Sequence, residues 1–94
     1  MTAETAAPRF APAATVSWTD AGGELVIFDR ERGSYHALNG SASAIWRALG
    51  DGGSADTVVE RLAGRFVADR DAITADVAAF LSSALAGGLI VEVA

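Results

Sequence analysis

Residues 33–49 contain the change of periodicity that most constrains the fold of this chain. The segment reads Gly-Ser-Tyr-His-Ala-Leu-Asn-Gly-Ser-Ala-Ser-Ala-Ile-Trp-Arg-Ala-Leu. Residues 34–38 show the alternation of a strand, and after Asn39 and Gly40 the apolar residues recur at the three-to-four spacing of a helix. The sequence therefore predicts a strand that leads through a tight turn into an amphipathic helix.

Two further strands are expected before this one. Alternation over residues 15–19 places Val16 and Trp18 on one face. Residues 24–29 include four consecutive apolar side chains, which is typical of a strand covered on both faces. Turn residues separate these segments. We therefore predict an antiparallel meander in which the second strand is central and the third strand, residues 34–38, forms an edge.

Three helices and a last strand are expected to follow. Ser41 and Ser54 are predicted N-caps of the first and second helices, and the second helix is expected to end near Val67. The third helix is predicted to start at residues 69–71, where acids suit the helix dipole. Residues 89–93 alternate again and are expected either to pair with the sheet or to form a wing. The apolar stripes of the three helices comprise Ala42, Ile45, Trp46 and Leu49; Val58, Val59, Leu62 and Phe66; and Ile73, Val77, Phe80, Leu81, Ala84 and Leu85.

This order of elements predicts an α+β fold of the winged helix-turn-helix type. It consists of a three-stranded antiparallel sheet, three helices and a short C-terminal strand. A chain of 94 residues has room for one core, and we expect a single domain over residues 13–94. Residues 1–12 are rich in Ala, Thr and Pro without periodicity, so they are predicted to form a flexible tail.

Charge and composition disfavour several classes of partner. Twelve acids outnumber seven arginines, lysine is absent, and the net charge of −5 argues against nucleic acid. The absence of cysteine excludes disulfides and thiolate metal sites and fits a cytoplasmic location. No apolar run approaches the roughly 18 residues that a membrane span requires, so no membrane association is expected.

Catalytic chemistry is not predicted. His36 is the only histidine, and a lone imidazole on a strand is more often a packing residue than a metal ligand or a base. The sequence contains no nucleophile elbow, phosphate-binding loop or pair of carboxylates placed to face one cleft. We therefore expect no catalytic residue, no metal site and no cofactor.

The third strand instead offers a binding surface. It carries no lysine or proline of the kind that usually protects a sheet edge. The apolar stripe of the third helix is wider than one sheet face needs, so part of it is expected to line a groove in which a peptide strand adds to the sheet. The residues leave a second interpretation open, in which the last strand or another copy of the chain covers the edge and the stripe belongs to the core.

The segment from Tyr35 to Trp46 resembles the PqqD-like family, whose members often read as a tyrosine-containing strand, Leu-Asn, a small residue and Ile-Trp. Later segments are also similar to that family: Thr-Val-Val-Glu at 57–60, Asp-Val at 76–77, Phe-Leu at 80–81 and Gly-Leu at 88–89. The resemblance extends from about Val16 to Val91.

The resemblance implies a RiPP recognition element. Such a domain is catalytically inert, binds the leader of a ribosomally synthesised and post-translationally modified precursor peptide, and presents that peptide to modifying enzymes or a leader peptidase. In this family the leader adds to the third strand, in a cleft closed by the third helix. The implied peptide-binding residues are Ser34, Tyr35, His36, Ala37 and Leu38 on the strand and Ile73, Asp76, Val77, Phe80 and Ala84 on the helix.

Two departures from the family pattern narrow this interpretation. Members that act in pyrroloquinoline quinone synthesis carry a cysteine after the first helix, and this chain has none, so another peptide pathway is favoured. The acids near the third helix favour a neutral or basic leader. Two alternative functions are a winged-helix DNA-binding regulator and an interaction domain that forms a homodimer through the third strand.

Overall fold

The computed structural model describes residues 7–65 and 69–93. Within these residues the predicted α+β order is confirmed: the three strands of the meander precede three helices and a C-terminal strand. Two short strands that the sequence did not predict, Arg9–Pro12 and Gly53–Ser54, are also present. None of the described helices is long and apolar enough to cross a bilayer. In chain order the elements are β1 (Arg9–Pro12), β2 (Val16–Ala21), β3 (Glu24–Asp29), β4 (Ser34–Ala37), α1 (Gly40–Leu49), β5 (Gly53–Ser54), α2 (Ala55–Ala63), α3 (Arg70–Ala86) and β6 (Ile90–Val93).

The predicted meander is present as the sheet β2-β3-β4, with β3 in the centre and β4 at an edge. The side chains of β3 on one face, Leu25 and Ile27, are buried in the core. Those on the other face, Val26 and Phe28, are half-buried, so this face is less covered than the prediction of a strand buried on both faces implied. The helices pack on the core face of the sheet, where Trp46 contacts the rings of Trp18 and Phe80.

A second sheet, β5-β1-β6, corrects the prediction of a flexible tail. Arg9–Pro12 is a strand that pairs along its full length with β6, so the tail prediction is wrong for these residues. Four residues are too few to display a period of two. Phe10 packs against core residues that are distant in sequence. Residues 1–6 lie outside the described residues. The last strand pairs with β1 rather than with the meander or as a wing.

The helix ends agree only partly with the predictions. Ser54 caps α2 as predicted, by accepting a hydrogen bond from the Thr57 N–H at 3.2 Å. The N-cap of α1 is Asn39 rather than Ser41, because the Asn39 Oδ1 accepts from the Ala42 N–H at 2.8 Å. Helix α2 ends at Ala63, short of the predicted end. The predicted end at Val67 and the stripe residue Phe66 lie outside the described residues.

The Ser43 hydroxyl joins α1 to the end of the β3–β4 ladder. The N–H of Leu25 donates to the Ser43 Oγ at 2.9 Å, and the hydroxyl donates to the Leu38 carbonyl at 3.1 Å. The Leu38 N–H in turn donates to the Leu25 carbonyl at 2.8 Å. Ser43 is completely buried, so its hydroxyl completes a backbone pair that water does not reach.

The register of β4 decides which of its backbone groups remain available. Backbone groups in an antiparallel ladder alternate in direction, and the Leu38–Leu25 bond marks a hydrogen-bonded pair. His36, two residues earlier, therefore turns its N–H and C=O toward Ile27. Tyr35 and Ala37 turn theirs away from β3, and β4 has no second strand neighbour within the described sheets.

Replacing Ser43 tests the bridge between α1 and the ladder. We expect Ser43→Ala to lower the free energy of unfolding by about 2 kcal/mol or more, because it leaves the Leu25 N–H and the Leu38 carbonyl buried without their partner. Ser41→Ala, an exposed change in the same turn, is the control and should alter stability by less than about 0.5 kcal/mol. Urea denaturation measures both variants. Equal midpoints for the two would contradict the bridging role.

Amide hydrogen exchange tests the register of β4. The amides of Tyr35 and Ala37 should exchange on the order of tenfold faster than that of His36, because only the His36 amide is bonded to β3. Exchange followed by NMR at several protein concentrations makes this measurement. Protection of Tyr35 and Ala37 that grows with concentration would show instead that a second copy of the chain occupies the edge.

Candidate functional site

A cleft lies between β4 and α3, and we refer to it as the β4–α3 cleft. The two elements run in opposite directions, since Arg32 just before β4 bonds to Gly87 after α3, while Gly40 after β4 lies near Asp76 in the first half of α3. The cleft encloses a volume of about 450 Å³. Its lining consists of His36, Ala37, Leu38, Phe80, Ser83, Ala84, Gly87 and Leu89.

The β4–α3 cleft has an apolar base and an accessible rim. Leu38, Ala84 and Leu89 are buried and form the base. Ala37 and Ser83 are exposed on opposite sides of the rim. The lining contains no carboxylate, and its only titratable side chain is His36, whose Nε2 lies 3.3 Å from the Ser34 Oγ. This surface suits uncharged, apolar groups.

Arg32 fixes the end of the β4–α3 cleft at which β4 begins. Its Nη1 donates to the Gly87 carbonyl at 2.8 Å, which ties the turn before β4 to the end of α3. The buried carboxylate of Asp29 holds this turn by accepting from the backbone N–H groups of Glu31 and Arg32. Gly88 adopts a φ of 78°, which reverses the chain after α3 and directs Leu89 back to the base of the cleft.

Five of the residues predicted from the sequence come together in the β4–α3 cleft. They are His36, Ala37, Leu38, Phe80 and Ala84. Ser34 is adjacent through its contact with His36. The Tyr35 side chain lies on the opposite face of the sheet, because it stands directly across from Phe28 rather than from the core residue Ile27.

Three predicted residues of α3 do not line the β4–α3 cleft. Val77 is completely buried in the core. Ile73 and Asp76 line a separate cavity of about 320 Å³ beside Gly40 and Ser41. The broad apolar stripe of α3 combines two faces: Val77 belongs to the face packed into the core, and Phe80 and Ala84 border the cleft. Peptide contact by Ile73, Asp76 and Val77 stays a prediction.

Three cleft residues were not identified from the sequence. Ser83 follows Phe80 by three residues and therefore lies on the same face of α3. This helical spacing could have identified Ser83 as a cleft residue from the sequence. Gly87 and Leu89 reach the cleft through the chain reversal after α3, which the sequence pattern did not specify. Within the described part of the chain, no group of three or more His, Cys, Asp or Glu side chains is arranged to hold a metal ion.

Comparisons with known proteins agree with this architecture. The family model described as "Coenzyme PQQ synthesis protein D (PqqD)" matches residues 24–90. A sequence search among curated proteins finds no match to the chain.

Two solved structures are similar to the chain. "TbiB1 in Complex with the TbiA(beta) Leader Peptide" has a TM-score of 0.80 at 23% identity, covering 89% of this chain and 98% of that one. "Lasso peptide synthetase B1 complexed with the leader peptide" has a TM-score of 0.76 at 27% identity, covering 87% of this chain and 96% of that one. The family match extends from β3 to the start of β6 and confirms the resemblance found in the sequence: the chain belongs to the PqqD family.

Proposed function

We propose that this chain is a RiPP recognition element that binds the leader of a precursor peptide as an added strand on β4, beside α3. The observation that carries the proposal is the combination of the free backbone groups of Tyr35 and Ala37 with the apolar β4–α3 cleft. The similarity to two proteins solved with leader peptides supports it.

Strand addition uses both features of the edge. Tyr35 and Ala37 each offer one N–H donor and one C=O acceptor, so an added strand gains up to four backbone hydrogen bonds. Each contributes about 0.5–1.5 kcal/mol net. Side chains of the added strand that stand opposite His36 and Leu38 share the face of those residues and enter the β4–α3 cleft. Apolar leader residues at alternate positions therefore fit the site.

The proposed role is presentation of the peptide rather than catalysis. The β4–α3 cleft offers one imidazole beside a serine hydroxyl that belongs to the same strand, with no carboxylate in the lining. A modifying enzyme or a leader peptidase would supply the reaction, and we place the protein in the cytoplasm with these partners. The proposal includes no nucleic-acid partner, in keeping with the net charge of −5. A homodimer through β4 would use the same groups of Tyr35 and Ala37 and would exclude the peptide.

Two proline variants of β4 separate peptide binding from folding. Ala37→Pro removes an N–H that faces away from β3, and proline is tolerated at such edge positions, so the fold should persist. We expect this variant to bind peptides selected by the wild-type chain from a random display library about tenfold more weakly or worse. Fluorescence anisotropy measures the affinity. His36→Pro is the matched change, because it removes the N–H bonded to Ile27 and should destabilise the fold by about 1–3 kcal/mol.

The outcome for Ala37→Pro decides the proposal. Unchanged affinity in a variant with a wild-type unfolding midpoint would contradict strand addition at β4. A selection that yields no peptide bound by the wild-type chain would contradict peptide binding itself.

Filling the β4–α3 cleft tests the contribution of α3. Ser83→Trp places an indole at the exposed rim, and it should weaken binding of the selected peptides by about tenfold or more because it occupies the space for their apolar side chains. Ser82→Trp makes the same change at the next exposed residue, which lies outside the cleft lining, and should leave the affinity within about twofold. Similar losses for both variants would show that α3 does not contribute the second wall.

A further inference from the structure

The outer face of the meander carries an aromatic pair at the binding edge. Phe28 and Tyr35 are direct cross-strand neighbours, and their ring centroids lie 4.7 Å apart with a tilt of 36°. Ser17 stands across from Phe28 on the other side, so Tyr35 is the last member of the row Ser17-Phe28-Tyr35. Tyr35 is 72% exposed, the largest exposure among the large apolar residues of the described chain.

The register places the next member of this row on any strand added to β4. The Tyr35 N–H and C=O face the free edge. In an antiparallel added strand they bond to the residue directly opposite Tyr35, and in a parallel added strand they bond to the two residues that flank it. Residues directly opposite each other share a face, with Cβ atoms about 5 Å apart. That residue therefore extends its side chain over the outer face beside Tyr35, whether the added strand is parallel or antiparallel.

We propose that the Tyr35 ring selects an aromatic or β-branched residue at this position of the leader. This inference rests on the proposed function and adds to it that the leader is recognised on both faces of the added strand. Phe28 supports one side of the ring, and the side toward the free edge is open to the leader residue. Aromatic–aromatic and aromatic–β-branched pairs are the cross-strand contacts that gain most from such a position.

The neighbouring row provides an internal control. Ala37 borders the rim of the β4–α3 cleft at the free edge, but its side chain alternates to the same outer face as that of Tyr35, where it stands across from Val26. Its methyl group offers little surface to a partner side chain. The leader residue opposite Ala37 is therefore bound by its backbone alone, and selection for side-chain type is confined to the position opposite Tyr35.

A double-mutant cycle with a peptide selected from a random display library tests this inference. The two outward-facing peptide positions are replaced by alanine one at a time, and the affinity for the full chain is measured by fluorescence anisotropy. With the wild-type chain we expect a loss of about threefold to fivefold at the position opposite Tyr35 and less than about twofold opposite Ala37. The Tyr35→Ala variant should abolish the loss at the first position, and Tyr35→Phe should restore it, because the ring rather than the hydroxyl makes the contact.

The results separate this inference from the proposed function. One outcome would overturn the role of Tyr35 and leave strand addition standing. In it, Ala37→Pro still weakens binding, but each alanine replacement in the peptide costs the same affinity with the Tyr35→Ala variant as with the wild-type chain. Absence of any bound peptide would overturn the proposed function. Tyr35→Ala changes an exposed side chain, and an unfolding midpoint close to that of the wild type will show that the fold is retained.

Discussion

The hydroxyl of Ser43 is the contact that joins α1 to β4, the edge strand on which the proposed function depends. In this chain the hydroxyl of Ser43 takes the place of one backbone bond between Leu25 and Leu38. It accepts from the Leu25 N–H and donates to the Leu38 carbonyl, so both backbone groups have a hydrogen-bond partner and α1 is joined to the ladder. Leu38 is thereby held at the base of the β4–α3 cleft.

The features that follow from local periodicity were accessible from the sequence. The meander with β4 at its edge, the order of the three helices and the cap at Ser54 agree with the structure, because alternation and capping act over a few neighbouring residues. The N-cap of α1 was assigned two residues too late, since Asn39 and Ser41 are both good capping residues and only the geometry of the turn distinguishes them. The bridge made by Ser43 could not be predicted in this way, because a serine inside an amphipathic helix does not indicate that it bonds to residues distant in sequence.

The second sheet and the exact lining of the cleft depend on contacts that no local pattern encodes. Arg9–Pro12 becomes a strand because β6 and β5 lie on either side of it. The broad apolar stripe of α3 covers more than one face of the helix, and composition did not show which residues face inward. Val77 supports the core and Phe80 the cleft, although both are apolar and only three positions apart.

The pairing of β1 with β6 also brings the two ends of the described chain together. Arg9 and Val93 are direct cross-strand partners, so a segment attached before the first strand and one attached after the last strand leave the domain from the same place. A partner domain fused at either end would therefore start from one common anchor point. A domain fused before β1 and a domain fused after β6 would therefore occupy similar positions relative to the PqqD fold of this chain.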